Sequence, residues 1–363
     1  MIHAYHNPVS IQCGPGSLDR LPALLRGRRA VVVTFPEARA LGLVARLEGL
    51  LGASLVGVID NVQPNPDVAQ LSGLYNHFWE QADACDAIVA VGGGSAIDTA
   101  KALMVGTKSG RFDSLIGLLA AGMAFTPEQV KPLIAVPTTA GTGSEVTPWA
   151  TIWDAANQKK YSLHLDQTWP EAAIVDAELM LSVPLGTTVS TGLDALSHAL
   201  ESVWNVNANP VSDTFAVSAA KDIFDTLPRL VRNPGDIVLR DRMALAALKA
   251  GLAFSNTKTA LAHSISYEMT LRHGLPHGIA CSFTLPLVLE KAWACCPDRD
   301  RTLQELFGPS LPAAQQRLRE FLRGLGVKTE FADYGVSDDE AGDMIARALD
   351  GARGKNFIGA VPA

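Results

Sequence analysis

Residues 86–105 read DAIVAVGGGSAIDTAKALMV: a short apolar run, three glycines, then a helical pattern. A run with no polar alternation is buried on both faces, which suits a parallel sheet covered by helices on each side. The strand is expected over Asp86–Val91 and the helix from Ala96. Gly92, Gly93 and Gly94 between them, with Ser95, let backbone approach a phosphate at a helix N-terminus, whose N–H groups and dipole favour an anion. Ser95 with Asp98 three residues on also fits a capping box of the Asp variety.

The same unit recurs along the first half. Val9–Gln12 is a short strand ending at GPGS, and Ser17 caps a short helix. Strands are expected over Arg29–Thr34 and Ser54–Ile59, with helices over 41–51 and 68–81 separated by the NVQPNPD loop. This alternation is the doubly wound α/β pattern. A further strand, Leu133–Val136, leads through Pro137 into TTAGTGSEVT, where Thr138, Thr139, Thr142 and Thr147 surround two glycines. Two loops rich in glycine and hydroxyls after successive strands suit a dinucleotide at the carboxyl edge of the sheet. Lys160 is a candidate phosphate contact. Residues 106–128 read as irregular, mobile chain, and Asp176 closes a last strand.

From Ser190 the pattern turns helical, with helices expected over 188–205, 210–229, 236–256, 257–271, 278–294, 311–325 and 337–350. The expected organisation is therefore an α/β domain over 1–184 and an all-helical domain over 185–363. The helical half opens with TGLDALSHALE, in which Asp194 and His198 stand four apart on one helical face. That spacing is ordinary on surfaces, but LAHSISYEMTLRHGLPHG downstream adds His263, His273 and His277. One carboxylate with two or three imidazoles suits a borderline divalent ion such as Fe²⁺ or Zn²⁺.

The formal net charge of -7 argues against a nucleic-acid partner or an anionic membrane surface. No apolar run reaches transmembrane length, and MIHAYHNPVS lacks the features of a signal peptide, so a cytoplasmic protein is expected. The five cysteines, Cys13, Cys85, Cys281, Cys295 and Cys296, show no metal-type spacing and read as reduced, buried thiols.

Three segments, GGGSAIDTAKA, PTTAGTGSEVT and VDAELMLSVPLGTTVSTGLDALSHALE, together resemble the iron-containing (group III) alcohol dehydrogenases over nearly the whole chain. The resemblance implies a Rossmann-like N-terminal domain followed by an all-α C-terminal domain, a dehydroquinate synthase-like architecture. It also implies a homodimer, and NAD(P)H and Fe²⁺ (or Zn²⁺) in an interdomain cleft that takes a small aldehyde or alcohol. The family's metal ligands fall on Asp194, His198, His263 and His277, which disfavours the metal-independent branch that includes maleylacetate reductases. Its cofactor residues fall on Asn65, Gly92, Gly93, Gly94, Ser95, Asp98, Thr138, Thr139, Thr142, Thr147 and Lys160.

Two departures carry expectations. Many members have an Asp directly after the first doubly wound strand, where it accepts from the adenosine ribose and repels a 2′-phosphate. Phe35 stands there, so NADPH is expected to be accepted. Many members also have a second histidine four residues after the third ligand; Tyr267 stands there, leaving Tyr267 and His273 as candidate proton relays. The variant HSISYEMTLRHGLPHG is similar to the phosphonoacetaldehyde reductases, or hydroxyethylphosphonate dehydrogenases, with Glu268 where a proline is expected. Arg272 is then the candidate guanidinium for a phosphonate. Competing readings are a polyol dehydrogenase or cyclising lyase of related architecture, and a nucleotide-binding protein without catalysis.

Overall fold

The computed structural model describes residues 2–123 and 125–360. Met1, Ala124 and 361–363 lie outside it, and with them the outer ends of the two expected domain ranges and one position of the stretch read as irregular. Contacts divide the chain into an α/β unit, Pro8–Thr139 with Ser144–Met180, and a helical unit, Met1–Asn7 with Ala140–Gly143 and Leu181–Ala363. A single cut after residue 184 misses two segments: the first seven residues and four residues of the second glycine loop go with the helices.

The α/β unit holds ten strands among the described residues: β1 Ser10–Cys13, β2 Ala30–Val33, β3 Leu55–Ile59, β4 Ala87–Gly92, β5 Val105–Gly106, β6 Gln129–Val130, β7 Leu133–Pro137, β8 Trp149–Asp154, β9 Lys159–His164 and β10 Ala172–Val175. Six form one parallel sheet in the order β1-β10-β7-β4-β2-β3. Its helices are α1 Leu21–Leu25, α2 Leu43–Leu51, α3 Val68–Glu80, α4 Gly94–Met104 and α5 Phe112–Ala120. One face of the sheet packs against α3, α4 and α5 through Ile88, Ala90, Leu71, Tyr75, Ile97 and Phe112. The other packs against α1 and α2 through Val32, Val89, Val91, Leu21 and Leu47. Burial on both faces is why these strands carry unbroken aliphatic runs. Chain order reverses between β2 and β4, so the crevice at their carboxyl ends is where such a sheet takes a ligand.

Two local expectations are corrected here, and one element is added. Residues 106–128 contain α5, whose Phe112 and Leu115 are buried against the sheet, so the apolar spacing of FDSLIGLL outweighs the flanking glycines. A β8–β9 antiparallel hairpin follows the second glycine loop. Ser95 and Asp98 form no capping box: the cap of α4 is Gly93, without a side-chain bond, and both side chains have partners elsewhere.

The helical unit contains α6 Leu185–Val203, α7 Pro210–Arg232, α8 Ile237–Thr257, α9 Leu261–His273, α10 His277–Ser282, α11 Leu285–Ala292, α12 Pro297–Phe307, α13 Leu311–Gly324 and α14 Asp338–Asp350. Asn209 caps α7 with Pro210 at its first position, and Asp236 caps α8. Pro297 likewise begins a helix, where its missing N–H costs nothing. The expected 278–294 helix is two, α10 and α11. Helices α6 to α10 share one core of Leu196, Leu200, Ile223, Ala246, Ile265 and Phe283. Among the described residues, no helix is long and apolar enough to cross a membrane.

Candidate active site

In the α/β unit the two glycine loops meet. The Thr138 N–H donates to the Gly92 carbonyl (2.9 Å). A Cβ on Gly92 would stand 2.6 Å from the Ala96 Cβ, and one on Gly93 would stand 3.3 Å from the Thr139 Oγ1. Both positions therefore favour glycine on close approach, leaving the start of α4 open to a phosphate. Asn65, at φ +59°, donates its N–H to Ser95 Oγ (3.1 Å), which brings the QPNP loop to the same place. Phe35 follows β2, and its ring lies 3.3 Å from the position of a Cβ on Gly92, at the point where strand order reverses. Lys160 lies 5.2 Å over the Trp153 ring on the hairpin. Thr142 belongs to the 140–143 segment of the helical unit.

Asp98 and Thr147 enter a buried network under these loops. Lys101 is fully buried, and its Nζ donates to the carbonyls of Ser144 (2.6 Å), Thr147 (2.7 Å) and Trp149 (2.7 Å) and to Ser144 Oγ (3.0 Å). Ser144 Oγ in turn donates a hydrogen bond to Asp98 Oδ1 (2.7 Å), and Asp98 Oδ2 accepts from the Thr151 N–H (2.9 Å). Burial brings Lys101 down to about 8 and pushes Glu145 up to about 6. Lys101 and Asp98 sit one turn apart on α4, so the helix itself anchors the loop that follows β7.

The helical unit gathers the other chemistry. Asp194 and His198 lie on α6, His263 on α9, and His277 with Cys281 on α10. Around Asp194 Oδ1 stand His263 Nε2 (3.3 Å), Cys281 Sγ (3.3 Å), His198 Nε2 (3.8 Å) and His277 Nε2 (4.0 Å). Donor atoms of Asp194, His263, His277 and Cys281 all lie within 4.8 Å of one another. The helices reach this distance because position 278 is glycine: a Cβ there would stand 1.8 Å from the Ser190 carbonyl oxygen of α6. The Cys281 carbonyl accepts from Ser197 Oγ (3.0 Å), which ties α10 to the turn carrying Asp194 and His198.

Two of the imidazoles are oriented from behind. His263 Nδ1 bonds Glu201 Oε2 (2.6 Å), and this fully buried carboxylate also accepts the N–H groups of Ala260 (3.0 Å) and His263 (3.2 Å). A carboxylate behind the imidazole fixes the ring so that Nε2 faces Asp194. His198 stacks on Phe254 (4.0 Å) and His263 (4.5 Å), with Nδ1 3.4 Å from the Gly141 carbonyl. Burial opposes charge on Asp194, yet the three imidazoles hold it well below the usual carboxylate range. Burial, the larger effect on His198, brings it down to about 4, leaving the imidazole neutral at ordinary pH. Burial also pushes the Cys281 thiol up to about 11, a balance that a divalent cation reverses.

Glu201 was not singled out from sequence, although it stands three residues after His198 on the same helix. Cys281 is a free, buried thiol, as expected, and lies four residues after His277, which the cysteine spacing alone did not show. Cys13 and Cys295 are exposed rather than buried.

The remaining expected residues have other neighbours. Tyr267 is one turn past His263 and half-buried, with the Arg353 guanidinium 4.7 Å over its ring. His273 Nε2 faces Glu340 of α14 at 3.6 Å. Arg272 is half-exposed and pairs with Glu268 (2.6 Å), which also pairs with Arg347 (2.9 Å).

A doubly wound sheet with two phosphate-type loops, and a buried carboxylate–imidazole centre backed by a second carboxylate, define a nucleotide-dependent metalloenzyme. The donor set fits a divalent ion: Asp194, His198, His263 and Cys281 are buried with His277 partly exposed, the groups converge on one oxygen, and Glu201 orients one from behind. The chain belongs to the iron-containing alcohol dehydrogenase family, whose N-terminal model matches residues 8–177 and whose C-terminal model matches residues 188–360. It is 34% identical over 355 residues to the NAD-dependent methanol dehydrogenase of Bacillus methanolicus, covering 94% of this chain and 91% of that one. A sulfoacetaldehyde reductase from Bilophila wadsworthia is 28% identical, covering 90% and 86%. The crystal structure of the sulfoacetaldehyde reductase from Bifidobacterium kashiwanohense in complex with NAD⁺ superposes with a TM-score of 0.89 at 30% identity, covering 98% of this chain and 94% of that one. The protein is thus an NAD(P)-dependent oxidoreductase of the alcohol–aldehyde type, of a family that uses iron.

Proposed function

We propose that this enzyme reduces a short anionic aldehyde with NAD(P)H, phosphonoacetaldehyde to 2-hydroxyethylphosphonate in its sharpest form. The reading is carried by the convergence of Asp194, His198, His263 and His277 in a chain similar along its length to a sulfoacetaldehyde reductase. Sulfonate and phosphonate are both tetrahedral oxyanions, so the two aldehydes present nearly the same shape and charge.

Asp194, His198, His263 and His277 would hold the ion, with Glu201 fixing the His263 ring. A bound divalent ion supplies Lewis-acid polarisation of the carbonyl oxygen, and the nicotinamide supplies hydride to the carbonyl carbon. Gly92, Gly93, Gly94 and Ser95, with Asn65, Thr138, Thr139, Thr142 and Thr147, would place the pyrophosphate and ribose, with Lys160 as a further cation. Asp98 would act on this loop through Ser144 rather than on the cofactor. Tyr267 and His273 are the proposed route for the proton that completes the alcohol.

Arg272 is proposed for the oxyanion, which must then compete with Glu268 for it. Arg353, stacked on Tyr267, is a second guanidinium for the same task. With Phe35 where a ribose-binding carboxylate is expected, NADPH is accepted as well as NADH.

The test is steady-state reduction of phosphonoacetaldehyde, sulfoacetaldehyde and butanal by metal-replete enzyme with each cofactor. A preference for the anionic aldehydes of about 10²-fold or more in kcat/KM supports the reading, and its loss in Arg272→Ala or Arg353→Ala identifies the guanidinium. Equal efficiency on butanal overturns it in favour of a general short-chain alcohol dehydrogenase, the reading favoured by similarity to a methanol dehydrogenase. Efficiency with NADH far above that with NADPH removes the cofactor assignment.

A further inference from the structure

We infer that Cys281 is a ligand of the metal ion, giving this centre a sulfur donor beside the Asp194, His263 and His277 side chains. The inference rests on the reading that the centre holds a divalent ion, and concerns how this chain holds it. Its Sγ is 3.3 Å from Asp194 Oδ1, as close as His263 Nε2 and closer than His277 Nε2 at 4.0 Å. Atoms bound tetrahedrally at about 2.0–2.3 Å from one ion stand roughly 3.3–3.7 Å apart, so the sulfur already lies at a coordination-sphere distance from the carboxylate.

Two further features hold it there. His277 and Cys281 are one turn apart on α10, which presents both to the same side. The Cys281 backbone is pinned to α6 by Ser197 Oγ (3.0 Å), and Gly278 permits the close approach of the two helices. The thiol is fully buried, so it has no route to a role at the surface. On ion binding the sulfur serves as thiolate and its proton is released to solvent.

A carboxylate, two imidazoles and a thiolate form a softer set than a carboxylate with imidazoles alone. This shifts selectivity from Fe²⁺ toward Zn²⁺ and Co²⁺, with His198 retained as a further nitrogen donor. The centre therefore differs in metal preference from one built of Asp and His only.

The experiment is to strip the full-length enzyme with a chelator and load it with Co²⁺. Stoichiometry is measured by equilibrium dialysis and coordination by absorption. One Co²⁺ per chain with an intense near-ultraviolet sulfur-to-cobalt band, absent in Cys281→Ser and Cys281→Ala, is expected. Zinc-loaded wild-type enzyme should show a sulfur scatterer at about 2.3 Å by X-ray absorption, a readout that needs no variant to fold. The ratio of Zn²⁺ to Fe²⁺ affinity should fall on the order of tenfold in Cys281→Ser. Stoichiometric Co²⁺ without the sulfur band, or zinc with only nitrogen and oxygen neighbours, overturns the thiolate while leaving the metal centre standing. Failure to bind any Co²⁺ overturns both.

Discussion

The protein buries two clusters of ionisable side chains, one in each unit, and they are built on opposite logics. In the α/β unit Lys101 meets four oxygen acceptors, the Ser144 hydroxyl donates to Asp98, and Asp98 accepts a backbone N–H on its other oxygen. Every donor there has an acceptor, and the result is a strut under the second glycine loop. In the helical unit donor atoms of Asp194, His263, His277 and Cys281 lie within 4.8 Å of one another, His198 Nε2 stands 3.8 Å from Asp194, and Glu201 holds His263 from outside. Among the described residues, no lysine or arginine forms an ion pair with Asp194 or Glu201. A buried polar network whose hydrogen bonds close on themselves specifies structure, whereas a carboxylate ringed by imidazoles and a thiol suits a cation.

The largest effect that would sharpen this contrast is on catalysis. Asp194→Ala should abolish stoichiometric metal binding and lower kcat/KM on the order of 10³-fold or more, since Lewis-acid polarisation is worth several kcal/mol. Its cost to the stability of the metal-free fold should be smaller than that of Lys101→Met; a reversed order in denaturant unfolding would break the distinction. Lys101→Met leaves four acceptors and a carboxylate without their buried cation, and should cost about 3–5 kcal/mol. A loss under about 1 kcal/mol would mean the network is not closed. Glu201→Gln should weaken metal affinity about 10–100-fold while the fold persists, measured by competition with a chromophoric chelator.

The smallest effect is on pH dependence. Glu145 is held near 6 in the folded chain by burial, above its ordinary 4.5. The folded state therefore binds more protons between these values, so this group's contribution to stability is full below 4.5 and is lost as pH rises through 6. That loss is worth about 2 kcal/mol at most. Glu145→Gln should flatten this part of the stability profile relative to wild type, and an unchanged difference between pH 4.5 and 6.5 would show that Glu145 titrates normally.

Much of this architecture is local enough to read from the chain. AIVAV and LIAV are strands because aliphatic runs buried on both faces have few alternatives, and Gly92 and Gly93 mark the close approach that follows them. Helices α6 to α9 are visible as periodic apolar stripes bounded by Asn209, Pro210 and Asp236. Helix α5 was obscured by the glycines around it, and α12 by Pro297, which is as compatible with a first helical turn as with a break. The β8–β9 hairpin depends on a pairing that neither strand announces alone.

The candidate centre divides in the same way. Asp194 and His198 are legible together because 3.6 residues per turn places them on one face, and His277 with Cys281 repeats that spacing on α10. The sequence thereby determined which groups could act in pairs. Only the tertiary structure decided that α6, α9 and α10 bring the pairs to one point, because that depends on Gly278 meeting Ser190 across 88 positions of chain. It also decided that Glu201 stands behind His263 and that Asp98 serves a strut. Hydrogen bonds between residues 62 and 46 positions apart leave no periodic trace, since their partners are selected by packing of whole elements rather than by the geometry of any one of them.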